Sequence, residues 1–581
     1  MLGAIAAPDG TTFAVFATTA KSVSVRIFDA TGARALRTLP LSARGDGLYE
    51  ATFGDVHAGA HYKFVLDDDE VPDPYARFLP FGVHGPARVV APAREPALAS
   101  PPPPSRWILY ELHVGAFTEE GTYRAAIERL DDLVALGVTA IELLPVHAFP
   151  GARGWGYDGV ALYAPYAPYG EPDDLRAFVR AAHERGLAVV LDVVFNHFGP
   201  SGNYLARYAP SYFTKERDTP WGQGPAFADP RMRALVLDNV AYWLDEFGFD
   251  GLRLDATHEI HDASSRHVLR EIADLAHSRE PRRRVFFEDE RNDPAVVKEL
   301  GADGVWADDL HHQIHVLLTG ERDGYYAAYD PTVAALARCI REGWTYTGQP
   351  YASWKGRPRG RPAGDLGYEQ LVTCLQNHDQ VGNRALGTRL SAHVDPGAFC
   401  AAVVLLLFLP TTPLLFMGQE WGASTPFLFF SDHEGEIGAN VSKGRREEFK
   451  SFAAFADPAV RSTIPDPQAA STFASSKLRW AERAIEPHAS VLAVHRAMLD
   501  LRRNDPVLSQ PCARGELSVE AYGDVVEVVR SKGASARRLV VSFGTAASAI
   551  AVPPGWRTLY ATPAWNGSVL GAKSAVVLGR D

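Results

Sequence analysis

Four short segments carry polar residues that packing alone does not explain: Asp192-Val-Val-Phe-Asn-His197, Arg253-Leu-Asp255, Glu288 after Val285-Phe-Phe, and Asn377-His-Asp379. Taken singly, an Asp after an apolar run reads as a helix cap or turn residue. Arg253 and Asp255, two apart on one strand face, read as a plain ion pair. Taken together, three of their carboxyls (Asp255, Glu288 and Asp379) would converge beside one arginine and two histidines. Such a cluster is costly unless its acids hold different protonation states. Cleavage of a glycosidic bond uses that difference, with one carboxylate attacking the sugar carbon and one carboxylic acid protonating the leaving oxygen. Glu288 has the apolar neighbours that raise a carboxyl pKa, and Asp255 has a cation two residues away that keeps it ionised. A third acid, Asp379, would stabilise the positive charge that develops on the sugar.

Residues so far apart in sequence meet only if the fold gathers them. Segments 107–114, 138–144, 187–195, 251–255, 285–288, 304–306, 371–375 and 414–417 read as strands, and 187–195 is a continuous apolar run of the kind found in parallel sheets. Helical stretches such as 172–185 and 488–504 separate or follow them. Eight strands with helices between predict an α/β fold, a (β/α)8 barrel of the TIM type. Its C-terminal strand ends would bring all four polar segments into one cup. Two polar stretches rich in Gly, Pro and aromatics, about 196–230 and 343–367, are expected to be substrate loops. Before the barrel, residues 1–95 alternate apolar and polar in short runs and predict a β-sandwich. Ser100-Pro-Pro-Pro-Pro-Ser105 is a stiff linker, so the catalytic barrel is placed at 106–505. Residues 506–581 return to short alternating strands and predict a small C-terminal all-β domain.

Composition narrows the partners. The chain has 581 residues, 46% hydrophobic and 22% charged, as globular proteins do, and a net charge of −12. That charge gives no positive field for nucleic acid. No apolar run reaches the roughly 18 residues a membrane helix needs. The N-terminus has no basic segment of a secretory leader, and the four cysteines show no spacing for disulfides or zinc, so a reducing cytoplasm is expected. Aromatics at 10%, with 11 Trp and 21 Tyr, suit an uncharged sugar partner.

In these segments the chain resembles the α-amylase superfamily of retaining α-glycoside hydrolases and transglycosylases. The resemblance implies that Asp255 is the nucleophile, Glu288 the general acid/base and Asp379 the transition-state stabiliser. Asp192, Arg253, His197 and His378 would hold the reacting glucose, with Tyr157 of Gly154-Trp-Gly-Tyr-Asp-Gly159 as the aromatic platform beneath it. Phe195 and Leu252 depart from the commoner Tyr and Phe. Within the superfamily the chain is similar to the maltooligosyltrehalose trehalohydrolase family. Tyr110-Glu-Leu-His-Val-Gly115, Gly199-Pro-Ser-Gly-Asn-Tyr204, Glu288-Asp-Glu-Arg-Asn-Asp293 and Gly418-Gln-Glu-Trp-Gly carry that likeness, and the N-terminal sandwich resembles the early-set module of starch- and glycogen-active relatives. The implied substrate is maltooligosyltrehalose, cleaved at the α-1,4 bond next to its terminal trehalose to give trehalose and a maltooligosaccharide. A maltooligosyltrehalose synthase would act upstream, with no stable complex implied. Trp155, Tyr204, Trp221 and Trp306 are candidate sugar-stacking rings, and Trp306, Asp308 and Asp309 candidates for gripping the trehalose end. Asn196 matches a calcium ligand of many amylases, but no dense run of Asp and Asn accompanies it, so neither metal nor cofactor is expected. The alternatives are a 1,4-α-glucan branching enzyme or another amylase or transglycosylase of the superfamily, and, more remotely, a non-catalytic sugar-binding barrel.

Overall fold

The computed structural model describes residues 2–92, 107–219 and 222–581. The proline-rich linker and Trp221 lie outside those residues. Residues 3–88 form two facing antiparallel sheets. One orders Gly3–Ala7, Gly10–Phe16, Leu48–Phe53 and Ser42–Gly45; the other orders Ala35–Pro40, Val23–Phe28, His61–Leu66 and Asp69–Val71, with Ala87–Arg88 also pairing to His61–Leu66. Alternation explains the sandwich: in Val23–Phe28 the odd-numbered residues Val23, Val25 and Ile27 turn inward, to meet Phe13, Tyr62 and Phe64. That core continues into Ala148, Val160, Ala161 and Tyr208 of the next unit, so the sandwich rests on the barrel's loops. Arg88 adds a two-pronged pair to Glu171, at 3.0 and 2.9 Å.

Eight parallel strands follow: β1 (Leu109–Leu112), β2 (Ala140–Leu143), β3 (Ala188–Val193), β4 (Gly251–Leu254), β5 (Arg284–Phe287), β6 (Gly304–Trp306), β7 (Leu371–Cys374) and β8 (Thr412–Phe416). They pair in sequence order, and β8 returns to β1 with Leu414 beside Leu109, closing the barrel. All six residues of β3 are buried, because helices cover its outer face and side chains fill the inside. The helix Pro172–Glu184 carries its apolar residues Leu175, Phe178, Val179 and Ala182 on the side that covers the strands.

The segment 196–230 contains a short helix, Leu205–Tyr208, and a hairpin of Phe213–Thr219 with Gly222–Pro225; 343–367 contains a small hairpin of Gln349–Pro350 with Pro358–Arg359. The sequence reading missed a third excursion, 418–487, between β8 and the helix His488–Asn504. Its longest helix, Gly435–Glu448, is mostly polar and has few buried residues, so it gives no strong periodic signal. It reaches the cup through Asp432 to Arg153 (2.6 Å), His433 to Asp158 (3.1 Å) and Arg445 to the Gly382 carbonyl (2.7 Å). Beyond His488–Asn504, five antiparallel strands from Leu517–Tyr522 to Ser574–Arg580 make the last sheet. It packs on Pro396–Phe408, an apolar helix buried on nearly every side.

Candidate active site

Arg253 is the hub. The alternation of β4 turns it into the barrel, where none of its surface remains open. A buried guanidinium needs acceptors, or the loss of its hydration goes uncompensated. Its Nη1 donates to both oxygens of Asp192, each at 2.9 Å, and to Asp255 Oδ1 at 2.9 Å; its Nη2 donates to Glu288 Oε2 at 2.7 Å. One planar fork thus holds three carboxyls from β3 and the ends of β4 and β5. The indole of Trp306, from β6, lies under the cation with the guanidinium carbon 4.4 Å from the ring centre.

After β4 the chain turns sharply. Ala256 adopts a left-handed backbone with φ 40°, and its N–H donates to Glu288 Oε2 at 2.9 Å. A non-glycine residue held there costs on the order of 1–3 kcal/mol, which persists only where the surroundings enforce it. Here the hydrogen bond and the Asp255–Arg253 pair on either side enforce it.

The two central acids differ in charge state. Burial pushes the Asp255 carboxyl up, but Arg253, His197 and a 2.8 Å hydrogen bond from Asn196 outweigh it, so its pKa lies below the usual value. Burial dominates at Glu288, with Asp255 and Asp379 repelling its charge; Arg253 only partly offsets them, and its pKa is raised well above the ordinary one. Asp192 is raised to about 6, chiefly by burial. Only 1% of its side chain is open, against 36% for Asp379. Asp379 therefore faces the cup, while Asp192 supports it from below.

Around these acids stands a polar shell. The Tyr157 hydroxyl donates to Asp192 Oδ2 at 2.6 Å, so it must accept from His378 Nε2 at 2.8 Å. The other ring nitrogen of His378 faces Glu111 Oε1 at 2.5 Å, and its backbone N–H donates to Glu111 Oε2 at 2.9 Å. Both nitrogens of His378 then carry protons. Burial opposes this charge, but Asp379 and Glu111 lift the pKa to about 10. His197 meets the Tyr157 carbonyl at 2.9 Å. The Tyr157 ring lies nearly parallel to His378, 5.1 Å between centres. Asn196 donates through its amide nitrogen to Asp255 Oδ2 and, at 3.0 Å, to the Asp255 carbonyl.

The sequence reading passed over Glu111 and Glu142, which look like ordinary strand residues in Tyr110-Glu-Leu and Ile141-Glu-Leu. They sit side by side in the register of β1 and β2, both buried. Neither oxygen of Glu142 has a hydrogen-bond partner among the described residues. Burial first, and Glu111 second, raise its pKa well above the usual carboxyl value. A charged residue in the middle of a buried strand was the signal that could have found them.

Three of the expected sugar contacts are corrected. Trp155 is 5% exposed, stacks on Phe427, and its Nε1 donates to the Leu428 carbonyl at 2.9 Å. Trp306 is 4% exposed beneath Arg253. Neither ring offers a free face to a sugar. Asp309 is wholly buried and its carboxylate is already used, accepting from Asn292 (2.7 Å), Tyr329 (2.5 Å), the Thr345 N–H (2.7 Å) and the Tyr346 N–H (3.2 Å), with Arg359 at 3.2 Å. It ties down the 343–367 segment instead of gripping ligand. Asp308 is half-buried; burial, then Asp379 and Asp309, raise it to about 6. Tyr204 is half-buried and bonds His84 at 2.7 Å.

A closed parallel barrel preceded by a two-sheet module, with carboxyls gathered at its C-terminal rim, defines a glycoside hydrolase of the α-amylase class. Family models agree: the alpha amylase catalytic domain matches residues 96–221, and carbohydrate-binding module 48 (the isoamylase N-terminal domain) matches 1–76. A malto-oligosyltrehalose trehalohydrolase of Deinococcus radiodurans is 48% identical, covering 100% of this chain and 96% of that one. Its counterpart from Saccharolobus solfataricus is 39% identical over 85% of each chain. A solved Salmonella typhimurium structure, assigned provisionally to the alpha-amylases, is 38% identical with a TM-score of 0.91, covering 100% of this chain and 99% of that one. The chain belongs to the malto-oligosyltrehalose trehalohydrolase family.

Proposed function

We propose that this enzyme hydrolyses the α-1,4 bond between a maltooligosaccharide and its terminal trehalose, with retention of configuration. The observation that carries the reading is the Arg253 fork, which holds Asp255 and Glu288 on one guanidinium while their pKa values move in opposite directions. A retaining pair needs its carboxyls close, about 5–5.5 Å apart, and split in protonation. Glu288 gives its proton to the oxygen leaving with trehalose as an Asp255 oxygen bonds to the anomeric carbon and the glycosidic bond breaks. In the second step Glu288 takes a proton from water, the hydroxyl bonds to the anomeric carbon, and Asp255 leaves. Both acids return to their starting states and the product is the α-anomer. Asp379, the most open of the acids, stabilises the positive charge of both transition states. Tyr157, His197, Arg253 and His378 shape the cup for the reacting glucose, with Asp192 beneath; Asp308 lines the trehalose side.

Residues 1–95, 106–505 and 506–581 serve as glucan-binding module, catalytic barrel and bracing sheet. A maltooligosyltrehalose synthase supplies the substrate. The unpaired state of all four cysteines suits a reducing cytoplasm.

Parallel incubation with maltotriosyltrehalose and maltopentaose tests the reading. Trehalose should be released from the first much faster than any cleavage of the second; equal rates would make the enzyme a general amylase. Amylose whose iodine colour shifts without free trehalose forming would indicate a branching activity. Proton NMR of the first minutes should show the α-anomer, and a β-anomer would exclude Asp255 as nucleophile.

A further inference from the structure

The far end of the barrel holds a second concentration of charge, of opposite sign. A cavity of about 340 Å³ lies between the N-terminal ends of the barrel strands, the helix His488–Asn504 and the last sheet. Arg185, Arg502, Arg503 and Arg530 line it, with Glu369 as its single acid. Arg502 and Arg530 are buried, at 8% and 2% exposure, and neither has a carboxylate within ion-pair distance among the described residues. Arg185 is already paired with Asp131 at 2.7 Å, and Arg503 is exposed.

What the two buried guanidinium groups have instead is backbone carbonyls. Arg502 donates to the Leu407 carbonyl at 2.9 Å, to Leu409, and to Thr411 at 2.5 Å. Arg530 donates to Phe408 at 3.0 Å, Leu508 at 3.3 Å and Gln510 at 3.0 Å. The bonds to Leu407, Phe408 and Leu409 cap the C-terminal end of Pro396–Phe408, where the helix dipole is negative, but all six supply only partial charges. The Nε of Arg530 has no nitrogen or oxygen acceptor among the described residues; the Cys512 thiol is its side-chain neighbour. Two positive charges share this space with no carboxylate in direct contact, Asp505 and Glu516 acting on Arg530 only from farther off, and Arg530 helps burial lower the Arg502 pKa to about 9. Burying an uncompensated cation is costly, and the cost falls when an anion joins it. A planar guanidinium matches the oxygens of a phosphate group.

We propose that this cavity binds a tetrahedral oxyanion, either free phosphate or the phosphate of a sugar phosphate, between Arg502, Arg530 and Arg503. The anion would clasp three units that meet there: the strand ends of the barrel, the closing helix and the strand Val525–Lys532 that carries Arg530. The site lies opposite the catalytic rim, so it acts on the stability of the fold and does not compete with substrate.

Thermal denaturation and calorimetric titration of the full chain test this, with inorganic phosphate, glucose 6-phosphate, glucose and potassium chloride at matched ionic strength. Phosphate should raise the Tm saturably and give a measurable binding isotherm, while glucose and chloride leave the Tm unchanged. Arg503→Gln, at an exposed position where folding is not at risk, should weaken phosphate several-fold; Glu369→Gln should strengthen it. Arg530→Gln should abolish binding, with circular dichroism confirming its fold. Tighter binding of glucose 6-phosphate would identify a phosphorylated sugar, and equal binding the free anion. Stabilisation that follows ionic strength alone, absence of an isotherm, or unchanged binding in Arg503→Gln would overturn the proposal.

Discussion

Two buried carboxylate sites in this barrel do opposite things. At Asp309, every lone pair has a donor: an amide, a phenol, two backbone N–H groups and an arginine converge on one carboxylate. Around Arg253, three carboxyls share one fork, and Glu288 is left with one arginine bond and one backbone N–H on a single oxygen. The first cluster is satisfied and fixes a loop. The second is under-satisfied and keeps a proton to spend. Residue type does not separate them; the count of donors does.

The comparison breaks most sharply by mutation of the acids. Asp255→Asn and Glu288→Gln should each lose roughly ten-thousand-fold in turnover, with near-normal melting temperatures. A Glu288→Gln variant that kept its turnover would remove it as the proton donor. Asp309→Ala should do the reverse, costing about 3–5 kcal/mol in denaturant unfolding because Arg359 and the backbone N–H groups lose their acceptor in a buried site. Its kcat should fall less than its stability, and a fully stable Asp309→Ala would show that the network is dispensable.

The pH profile sharpens the contrast. On the proposed mechanism turnover needs Asp255 ionised and Glu288 protonated, so the acid limb should lie below the ordinary carboxyl range and the alkaline limb well above it. In Glu288→Gln the alkaline limb should vanish from the residual activity. His378 adds a stability contribution of the opposite kind. Its folded pKa of about 10 exceeds the ordinary histidine value of 6.5, so its support is fully present below 6.5 and is lost as the pH rises towards 10. Urea midpoints measured across that window should decline for the wild type and less for a His378→Gln variant.

The smallest expected effect is the most discriminating. Glu142 is buried with neither oxygen hydrogen-bonded among the described residues and its proton retained, so Glu142→Gln, which keeps shape and neutrality, should change kcat less than about threefold. A loss beyond tenfold would mean that Glu142 is ionised and belongs to the Arg253 cluster.

Much of this was legible in the residue order. The continuous apolar runs and their spacing gave eight strands and a barrel, since strands buried on both faces leave no room for alternation. The N-terminal alternation gave the sandwich. Strand-end positions of Asp192, Arg253, Asp255 and Glu288 followed from the same pattern, because a parallel barrel sends all C-terminal ends to one rim. The excursion at 418–487 stayed hidden, its longest helix too polar to show a period. Trp155, Trp306 and Asp309 were misplaced because a ring or a carboxyl looks the same in sequence whether it faces a ligand or a neighbour.

The sequence by itself determined which atoms were available: three acids, one arginine, two histidines, and strands to carry them. Only the tertiary structure decided how those atoms were charged and partnered. Protonation depends on burial and on charges a few ångströms away, and those neighbours come from β1, β3, β4, β5 and the segment after β7, brought together by barrel closure and by nothing local in the chain.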